Sequence, residues 1–172
     1  MNKALFLDRD GVINLDKGHV HLKQDFNFIE GIFDLCKKAQ SKNFLLIVIT
    51  NQAGIAKGFY NEECFHVLNK WMLEQFLDNG IKISQVYYCP HHENVTGKCL
   101  CRKPNPGMIL KAKKEFKIDL KNSIFIGDKK TDMLAAENAG INSRILFLKP
   151  HLKSYESGHE SQIVQSLQDI HF

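Results

Sequence analysis

The sequence has little of what marks fibrous, disordered or membrane-spanning proteins. Its 172 residues include only 11 Gly and 4 Pro, and 10% are aromatic, which excludes a collagen-like repeat and a disordered chain. No apolar run approaches the ~20 residues of a membrane span, and the longest is Phe44–Ile49. Asp8, Arg9 and Asp10 interrupt the N-terminal apolar segment where a signal peptide would continue. We therefore expect a cytoplasmic protein that does not contact a membrane.

A strong excess of one charge is also lacking. The 23 Lys and Arg against 19 Asp and Glu leave a net charge of +4, which is too small and too dispersed to predict nucleic-acid binding. The length suits one domain over residues 1–172, which we expect to act as a monomer. The five cysteines are an odd number, which disfavours a framework built only of disulfides.

Short apolar runs alternate with helical patterns along the chain. A parallel sheet buried on both faces is indicated, because the runs are continuously apolar. The predicted strands are Lys3–Leu7, Phe44–Ile49, Val86–Tyr88, Ile124–Ile126 and Arg144–Leu148. The predicted fold class is α/β, a doubly wound parallel sheet.

Helical periodicity fills the segments between these strands. Helices are predicted after Gly31, after a cap at Asn61, from Asn105-Pro106 onwards, and over Thr131–Ala139. A last helix is predicted from about Glu160 to Ile170, and the polar segment His151–His159 before it is predicted to lack regular structure.

Four polar motifs follow predicted strands. They are Asp8-Arg9-Asp10-Gly11, Thr50-Asn51-Gln52, Arg102-Lys103-Pro104, and Gly127-Asp128 with Asp132. Each alone is equally typical of a polar turn, a surface segment or a helix cap. In a parallel sheet, however, ligands bind beyond the carboxyl ends of the strands, so all four are expected to meet at one edge. Paired carboxylates, a divalent cation and paired basic side chains are what phosphoryl transfer requires.

In composition and order, these motifs resemble those of the haloacid dehalogenase superfamily of aspartyl-phosphate phosphatases, over about Lys3–Leu148. The resemblance implies that Asp8 is the nucleophile and that Asp10 is the general acid and base. It further implies that Thr50 holds the phosphoryl group and that Lys103 offsets negative charge.

The same resemblance implies a Mg²⁺ ion. Its ligands would be Asp8, the backbone carbonyl of Asp10, and Asp128, with Asp132 supporting them. After the core elements are assigned, few residues remain for a separate cap domain, so a Rossmann-like, capless fold is expected.

The cysteines suggest a second metal site. Cys89 and His91 are followed by Cys99 and Cys101, two short-range ligand pairs that suit tetrahedral Zn²⁺. His92 is a competing imidazole that spacing does not separate from His91, and unliganded cysteines in a loop are the alternative. Four protein ligands would make a closed, structural site, formed by a small zinc-binding loop over residues 89–101. We hypothesise that it fixes the backbone of the two cations that follow.

The segments CPHH and CLCRKPNPGM, with GHV and TNQAGIAKG, are similar to the family of D-glycero-D-manno-heptose-1,7-bisphosphate 7-phosphatases. That similarity implies Zn²⁺ ligation through His91 and removal of the C7 phosphate from a small phosphorylated sugar, on the way to nucleotide-activated heptose for surface polysaccharide. The implied substrate contacts are Asp16, Lys17, Gly18, His19, Thr50, Asn51, Gln52, Ala53, Arg102, Lys103 and Lys129.

Other functions stay open at this point. A histidinol-phosphate phosphatase shares the cysteine-rich loop. A non-catalytic phospho-acceptor or zinc-stabilised binding module has no need of Asp10 as a second carboxylate, and the modest charge disfavours a nucleic-acid end-phosphatase.

Overall fold

A parallel sheet of six strands, in the order β3-β2-β1-β4-β5-β6, forms the centre of the computed structural model, which describes residues 1–148 and 158–172. The strands are β1 (Lys3–Leu7), β2 (Phe44–Asn51), β3 (Ile83–Cys89), β4 (Ile124–Gly127), β5 (Ser143–Phe147) and β6 (Gln162–Val164). Every pairing is parallel. The five predicted strands and the doubly wound α/β class are confirmed.

Six α-helices connect or flank the strands within residues 1–148 and 158–172. They are α1 (Ile32–Ser41), α2 (Ala53–Ala56), α3 (Glu62–Asp78), α4 (Glu93–Thr96), α5 (Gly107–Phe116) and α6 (Lys130–Ala139). The Asn61 side chain accepts a hydrogen bond from the backbone of Cys64 and caps α3, as predicted. Gly140 ends α6 in the left-handed conformation that glycine adopts at no steric cost.

Two helical layers cover the two faces of the sheet. Alternate side chains of β1 point to opposite faces, so Leu5 and Leu7 pack with α1 and α3, whereas Ala4 and Phe6 pack with α5 and α6. Because both faces are buried, the strands need the continuous apolar runs seen in the sequence. Among the described residues, none forms a second domain over the carboxyl edge of the sheet.

The predicted C-terminal helix is wrong. Residues Gln162–Val164 instead form β6, which pairs with β5, and Leu167–Asp169 form a short 3₁₀ helix. The apolar spacing fits a helix, but the exposed edge of β5 offers unpaired backbone groups that an extended segment can satisfy. Most of the segment His151–His159 lies outside the described residues.

Within the ranges that the structure describes, no helix is both long enough and apolar enough to cross a membrane.

Candidate active site

The polar motifs meet at the carboxyl edge of the sheet, where three neighbouring strands end. Asp8 directly follows β1, Asp128 directly follows β4, and Thr50 is the next-to-last residue of β2. Since β1 lies between β2 and β4, these three residues stand side by side at the edge.

Lys103 is the buried cation of this site. It is 3% exposed, and its ammonium group donates to Asp8 Oδ1 at 2.8 Å and to the carbonyl of Ile49 at 2.9 Å. A third contact joins Nζ to Asp132 Oδ1 at 2.7 Å. All three ammonium hydrogens therefore have an acceptor, which fixes the position of the charge.

The backbone of Lys103 is held as firmly as its side chain. Asn51 Nδ2 donates to the Lys103 carbonyl and Asn51 Oδ1 accepts from the Lys103 amide, both at 3.1 Å. The amide of Asn51 therefore serves the position of Lys103, although Asn51 also lines the cleft described below.

Negative charge exceeds positive charge at this point of the structure. Ligand oxygens of Asp8, Asp128 and Asp132 lie within 4.8 Å of one another, with Lys103 as the buried cation among them. Burial, followed by the nearby Asp132, raises the pKa of Asp8 well above its usual value, and Lys103 opposes this shift. Burial also raises the pKa of Asp128 to about 6. An additional cation would relieve this crowding.

The donor set suits a hard divalent cation. Asp128 Oδ1 is buried and has no hydrogen-bond donor among the described residues, and its nearest cation, Lys129, is 3.9 Å away. Asp132 Oδ2 instead accepts from the backbone amides of Asp128 and Lys129. Carboxylate oxygens are the ligands that Mg²⁺ prefers, so Asp8 and Asp128 fit the ion while Asp132 orients the loop. A Cβ on Gly11 would lie 2.0 Å from Asp128 Oδ2, so the loop needs glycine there.

Asp10 lies beside Asp8 with both carboxylate oxygens hydrogen-bonded. Its Oδ1 accepts from Arg9 Nη2 and from Asn14 Nδ2, and its Oδ2 accepts from Gln52 Nε2, each at 3.0 Å. Arg9 is itself 1% exposed, and its guanidinium lies about 6 Å from the ring centres of Phe26 and Phe65. The orientation of Asp10 is therefore fixed by the protein.

A cleft of about 490 Å³ opens in front of Asp10, and a smaller pocket of about 50 Å³ that shares Asp10 and Lys103 with it reaches Asp8 and Asp132. Most of the predicted substrate contacts line the cleft, namely Asp16, Gly18, His19, Asn51, Gln52, Ala53, Arg102, Lys103 and Lys129. Lys17 is exposed and does not line the cleft, and the Thr50 side chain lies beneath its floor, 1% exposed. Lys129 Nζ donates to Asp16 Oδ2 at 2.8 Å across the mouth.

The sequence does not single out several residues of the site individually. Lys57, Tyr60 and Thr131 also line the cleft, and Arg9 and Asn14 hold Asp10 from behind. An arginine between two carboxylates in Asp8-Arg9-Asp10 is the signal that could have indicated its role. Burial raises the pKa of Tyr60 to about 12, so this phenol stays protonated at neutral pH.

The second cluster brings the four predicted zinc ligands together. Cys101 Sγ lies 2.9 Å from Cys89 Sγ and 3.4 Å from Cys99 Sγ, and His91 Nδ1 lies 3.3 Å from Cys101 Sγ. Ligand atoms around tetrahedral Zn²⁺ stand about 3.8 Å apart, since Zn–S bonds are about 2.3 Å. The cluster therefore needs only a small expansion to accept that ion. His92 is not part of it and begins α4 instead.

This cluster is connected directly to the active-site cations. Cys101 precedes Arg102 and Lys103 in the chain, and Arg102 Nη1 donates to the carbonyl of His91 at 3.1 Å. Asn105 Nδ2 donates to the carbonyl of Cys99 at 2.7 Å from the far side. The geometry of the cluster therefore influences where both cations lie.

Comparison with known proteins places this geometry in a family. The HAD-hydrolase-like family model matches residues 100–167. A D-glycero-alpha-D-manno-heptose-1,7-bisphosphate 7-phosphatase of Campylobacter jejuni is 54% identical over 144 residues, which cover 84% of this chain and 81% of the relative. A D-glycero-beta-D-manno-heptose-1,7-bisphosphate 7-phosphatase of Helicobacter pylori is 44% identical over 172 residues, which cover 98% and 97%.

The fold is also that of a solved relative. The crystal structure of D,D-heptose 1,7-bisphosphate phosphatase from B. bronchiseptica, complexed with magnesium and phosphate, superposes with a TM-score of 0.78 at 27% identity. The match covers 84% of this chain and 80% of that one. From these relatives, this chain belongs to the haloacid dehalogenase superfamily, in the family of the D-glycero-D-manno-heptose-1,7-bisphosphate 7-phosphatases.

Proposed function

We propose that this protein is a Mg²⁺-dependent phosphatase that removes the C7 phosphate of D-glycero-D-manno-heptose 1,7-bisphosphate through an aspartyl-phosphate. The observation that carries the proposal is the ion pair of Asp8 with Lys103, 2.8 Å long and buried beside Asp10 and Asp128. The names of the relatives support the sugar substrate.

In the first step a carboxylate oxygen of Asp8 attacks phosphorus, and the bond from phosphorus to the C7 oxygen breaks. Asp10 gives its proton to that leaving oxygen. In the second step Asp10 takes a proton from water, whose oxygen attacks phosphorus and releases Asp8 and inorganic phosphate. Asp10 suits both roles, because it borders the cleft and is held at both oxygens.

Charge neutralisation is the other requirement of phosphoryl transfer. Asp8, Asp128 and the carbonyl of Asp10 would hold Mg²⁺, which when bound supplies positive charge to the phosphoryl oxygens. Lys103 supplies a second, permanent charge, because Asp132 and Asp8 raise its pKa despite the opposing effect of burial. Thr50 holds the phosphoryl group from the end of β2.

The cleft suits a bisphosphate that enters by one end. Lys57, Arg102 and Lys129 line its walls in addition to Lys103, so a second phosphate also meets positive charge. The predicted contacts from Asp16–His19 and from Asn51–Ala53 stay part of the proposal, with Asn51 acting through the backbone of Lys103. An open cleft without a cap domain favours a substrate with a terminal phosphate.

We propose that Cys89, His91, Cys99 and Cys101 bind one structural Zn²⁺. The distances between their ligand atoms support this role, and four protein ligands of the Cys₃His type are typical of a structural zinc site. By fixing Cys101, the ion would fix the backbone that presents Arg102 and Lys103.

We also propose that the protein acts as a monomer in the cytoplasm. The proposed zinc ligands include three free thiols, which a reducing compartment keeps from forming disulfides. Light scattering at working concentration tests the monomer, and a mass twice that of the chain would contradict it.

Phosphate release from four substrates tests the proposed function. They are the alpha and beta anomers of the heptose bisphosphate, histidinol phosphate and a 5′-phosphorylated oligonucleotide. We expect one heptose anomer to have the highest kcat/KM, with no turnover by Asp8→Asn. A kcat/KM for histidinol phosphate ~100-fold above both anomers, about 2.7 kcal/mol of transition-state preference, would refute the sugar assignment. Turnover by Asp8→Asn would refute the nucleophile.

A further inference from the structure

Both the nitrogen and the oxygen of the Gln52 side-chain amide form hydrogen bonds with other side chains of the protein. Its Nε2 donates to Asp10 Oδ2 at 3.0 Å and to Thr50 Oγ1 at 2.8 Å, and its Oε1 accepts from the Tyr60 hydroxyl at 2.5 Å. An amide nitrogen carries two hydrogens, and each has one acceptor here. Gln52 is also 2% exposed, so these three hydrogen bonds are shielded from solvent.

The two donations of Gln52 determine how two groups face the cleft. Asp10 Oδ1 already accepts from Arg9 and Asn14, so Oδ2 is the oxygen with a lone pair left for a proton. Thr50 Oγ1 accepts from Gln52, which leaves its own hydrogen to be donated elsewhere. Arg9 and Asn14 therefore leave Oδ2 as the oxygen that carries the proton, while Gln52 fixes the direction of that oxygen and of the Thr50 hydroxyl.

Tyr60 determines which way round the amide lies. If Gln52 were rotated by half a turn, its Oε1 would face the carboxylate of Asp10 and its Nε2 would face the phenol. The Tyr60 hydroxyl, which stays protonated, favours the observed orientation by donating to Oε1. A carboxylate without a proton only accepts hydrogen bonds, so in the rotated state Oε1 would face another acceptor and the hydrogen bond to Asp10 would be lost.

The position of Tyr60 is itself constrained. A Cβ on Gly54 would lie 2.2 Å from Tyr60 Cε1, so the ring rests directly on the backbone of α2. The His21 ring stacks on the Tyr60 ring, with 4.8 Å between ring centres and 8° between planes. The phenol is thus held in place by two contacts, and its hydrogen bond leads to Asp10 through Gln52.

We propose that Tyr60 and Gln52 are positioning residues for the reaction, with Tyr60 orienting the Gln52 amide and Gln52 orienting Asp10 Oδ2 and the Thr50 hydroxyl. The inference rests on the proposed function, which makes Asp10 the proton donor to the leaving oxygen. It assigns to Tyr60 a role that depends on the leaving group and not on substrate binding.

Tyr60→Phe tests the proposal with two substrates. The heptose bisphosphate loses an alkoxide, which needs a proton from Asp10, whereas p-nitrophenyl phosphate loses a phenolate that needs none. The ratio kcat/KM reports the steps up to loss of the leaving group. We therefore expect kcat/KM to decrease ~10-fold for the sugar and less than ~2-fold for the aryl ester. The decrease for the sugar is a part of the 10²–10⁴-fold acceleration that general acid catalysis supplies. The KM for the sugar should stay unchanged.

Tyr87→Phe is the matched control. Tyr87 is 6% exposed against 7% for Tyr60, and its hydroxyl donates a 2.6 Å hydrogen bond to Glu115 outside the cleft. The Tyr87→Phe variant should leave both kcat/KM values unchanged, even if its thermal stability decreases. Equal losses for both substrates in Tyr60→Phe, or no loss at all, would overturn the proposal.

A double-mutant cycle decides the matter on the sugar substrate alone. If Tyr60 acts only through Gln52, then Tyr60→Phe adds nothing to Gln52→Leu, and the double variant should match Gln52→Leu within ~2-fold. Losses that multiply would show an independent role for Tyr60 and overturn the proposal. Failure of the proposed function is distinguishable, because it would show in the wild-type protein as absent sugar turnover or as an active Asp8→Asn variant.

Discussion

Gly11→Ala is the substitution for which the structure makes the sharpest prediction. Gly11 has a φ of +104°, and a Cβ at this position would lie 2.0 Å from Asp128 Oδ2 and 2.3 Å from its Cγ. Contacts of a Cβ below 3.0 Å are essentially never found, so the Asp128 carboxylate has to move by about 1 Å or more. The methyl group therefore displaces a side chain that we propose as a Mg²⁺ ligand.

Two separate costs follow from this geometry. The left-handed backbone costs alanine about 1–2 kcal/mol relative to glycine, which lowers the free energy of unfolding. Displacing a ligand carboxylate by about 1 Å should raise the Mg²⁺ concentration for half-maximal activity by ~10–100-fold, which is the range by which the loss of a metal ligand's supporting contacts lowers metal affinity. The second cost is specific to the metal site.

Gly140→Ala separates the two costs. Gly140 has a φ of +88° at the end of α6, and a Cβ there meets nothing within 4 Å. Both variants should therefore lose similar stability in thermal denaturation without Mg²⁺, whereas only Gly11→Ala should need more Mg²⁺ in a titration of initial rate. If Gly11→Ala responded to Mg²⁺ like the wild type, the placement of the ion beside Asp128 would be refuted.

Three further predictions concern the residues around this site. Lys103→Met leaves the carboxylates of Asp8 and Asp132 buried without their cation, so it should lower the free energy of unfolding by about 3–5 kcal/mol. In calorimetry this corresponds to a Tm lower by roughly 10 °C, and an unchanged Tm would contradict the buried pairing. Asn51→Ala removes both hydrogen bonds to the backbone of Lys103, so it should lower the free energy of unfolding by about 2 kcal/mol and also lower kcat. An unchanged kcat would show that the position of Lys103 does not depend on these hydrogen bonds. If the cluster binds one zinc per chain as proposed, Cys101→Ser should lose that zinc in elemental analysis and lower kcat ~10-fold. Cys64→Ser, outside the cluster, should keep the zinc, and full zinc content in Cys101→Ser would exclude the site.

Much of the fold follows from the local pattern of apolar and polar residues in the sequence. The continuously apolar runs predict buried parallel strands, and each is present because a strand covered on both faces has no position for a polar side chain. The C-terminal segment is the exception. Its apolar spacing favours a helix, yet pairing with the free edge of β5 satisfies its backbone, and that edge is not visible in local sequence.

The active site likewise has some features that the sequence predicts and others that it does not. Motifs at strand ends predict that Asp8, Thr50 and Asp128 meet, because parallel strands carry their carboxyl ends to one edge. The contact of Lys103 with Asp8 spans 95 residues, and only the return of the chain through the cysteine cluster produces it. The resemblance to a family implied a charge-offsetting role for Lys103, but not its three acceptors.

The sequence by itself determined the sheet, the chemical class of the site and the residue types that could hold two metals. These depend on side-chain chemistry and on spacing within a few residues. Only the tertiary structure decided that Gln52 donates to Asp10, that the Tyr60 hydroxyl donates to the Gln52 amide oxygen, and that a Cβ on Gly11 would clash with Asp128. Such roles depend on which hydrogen bonds and van der Waals contacts are satisfied once distant segments pack together, and a side chain's partners are chosen by that packing.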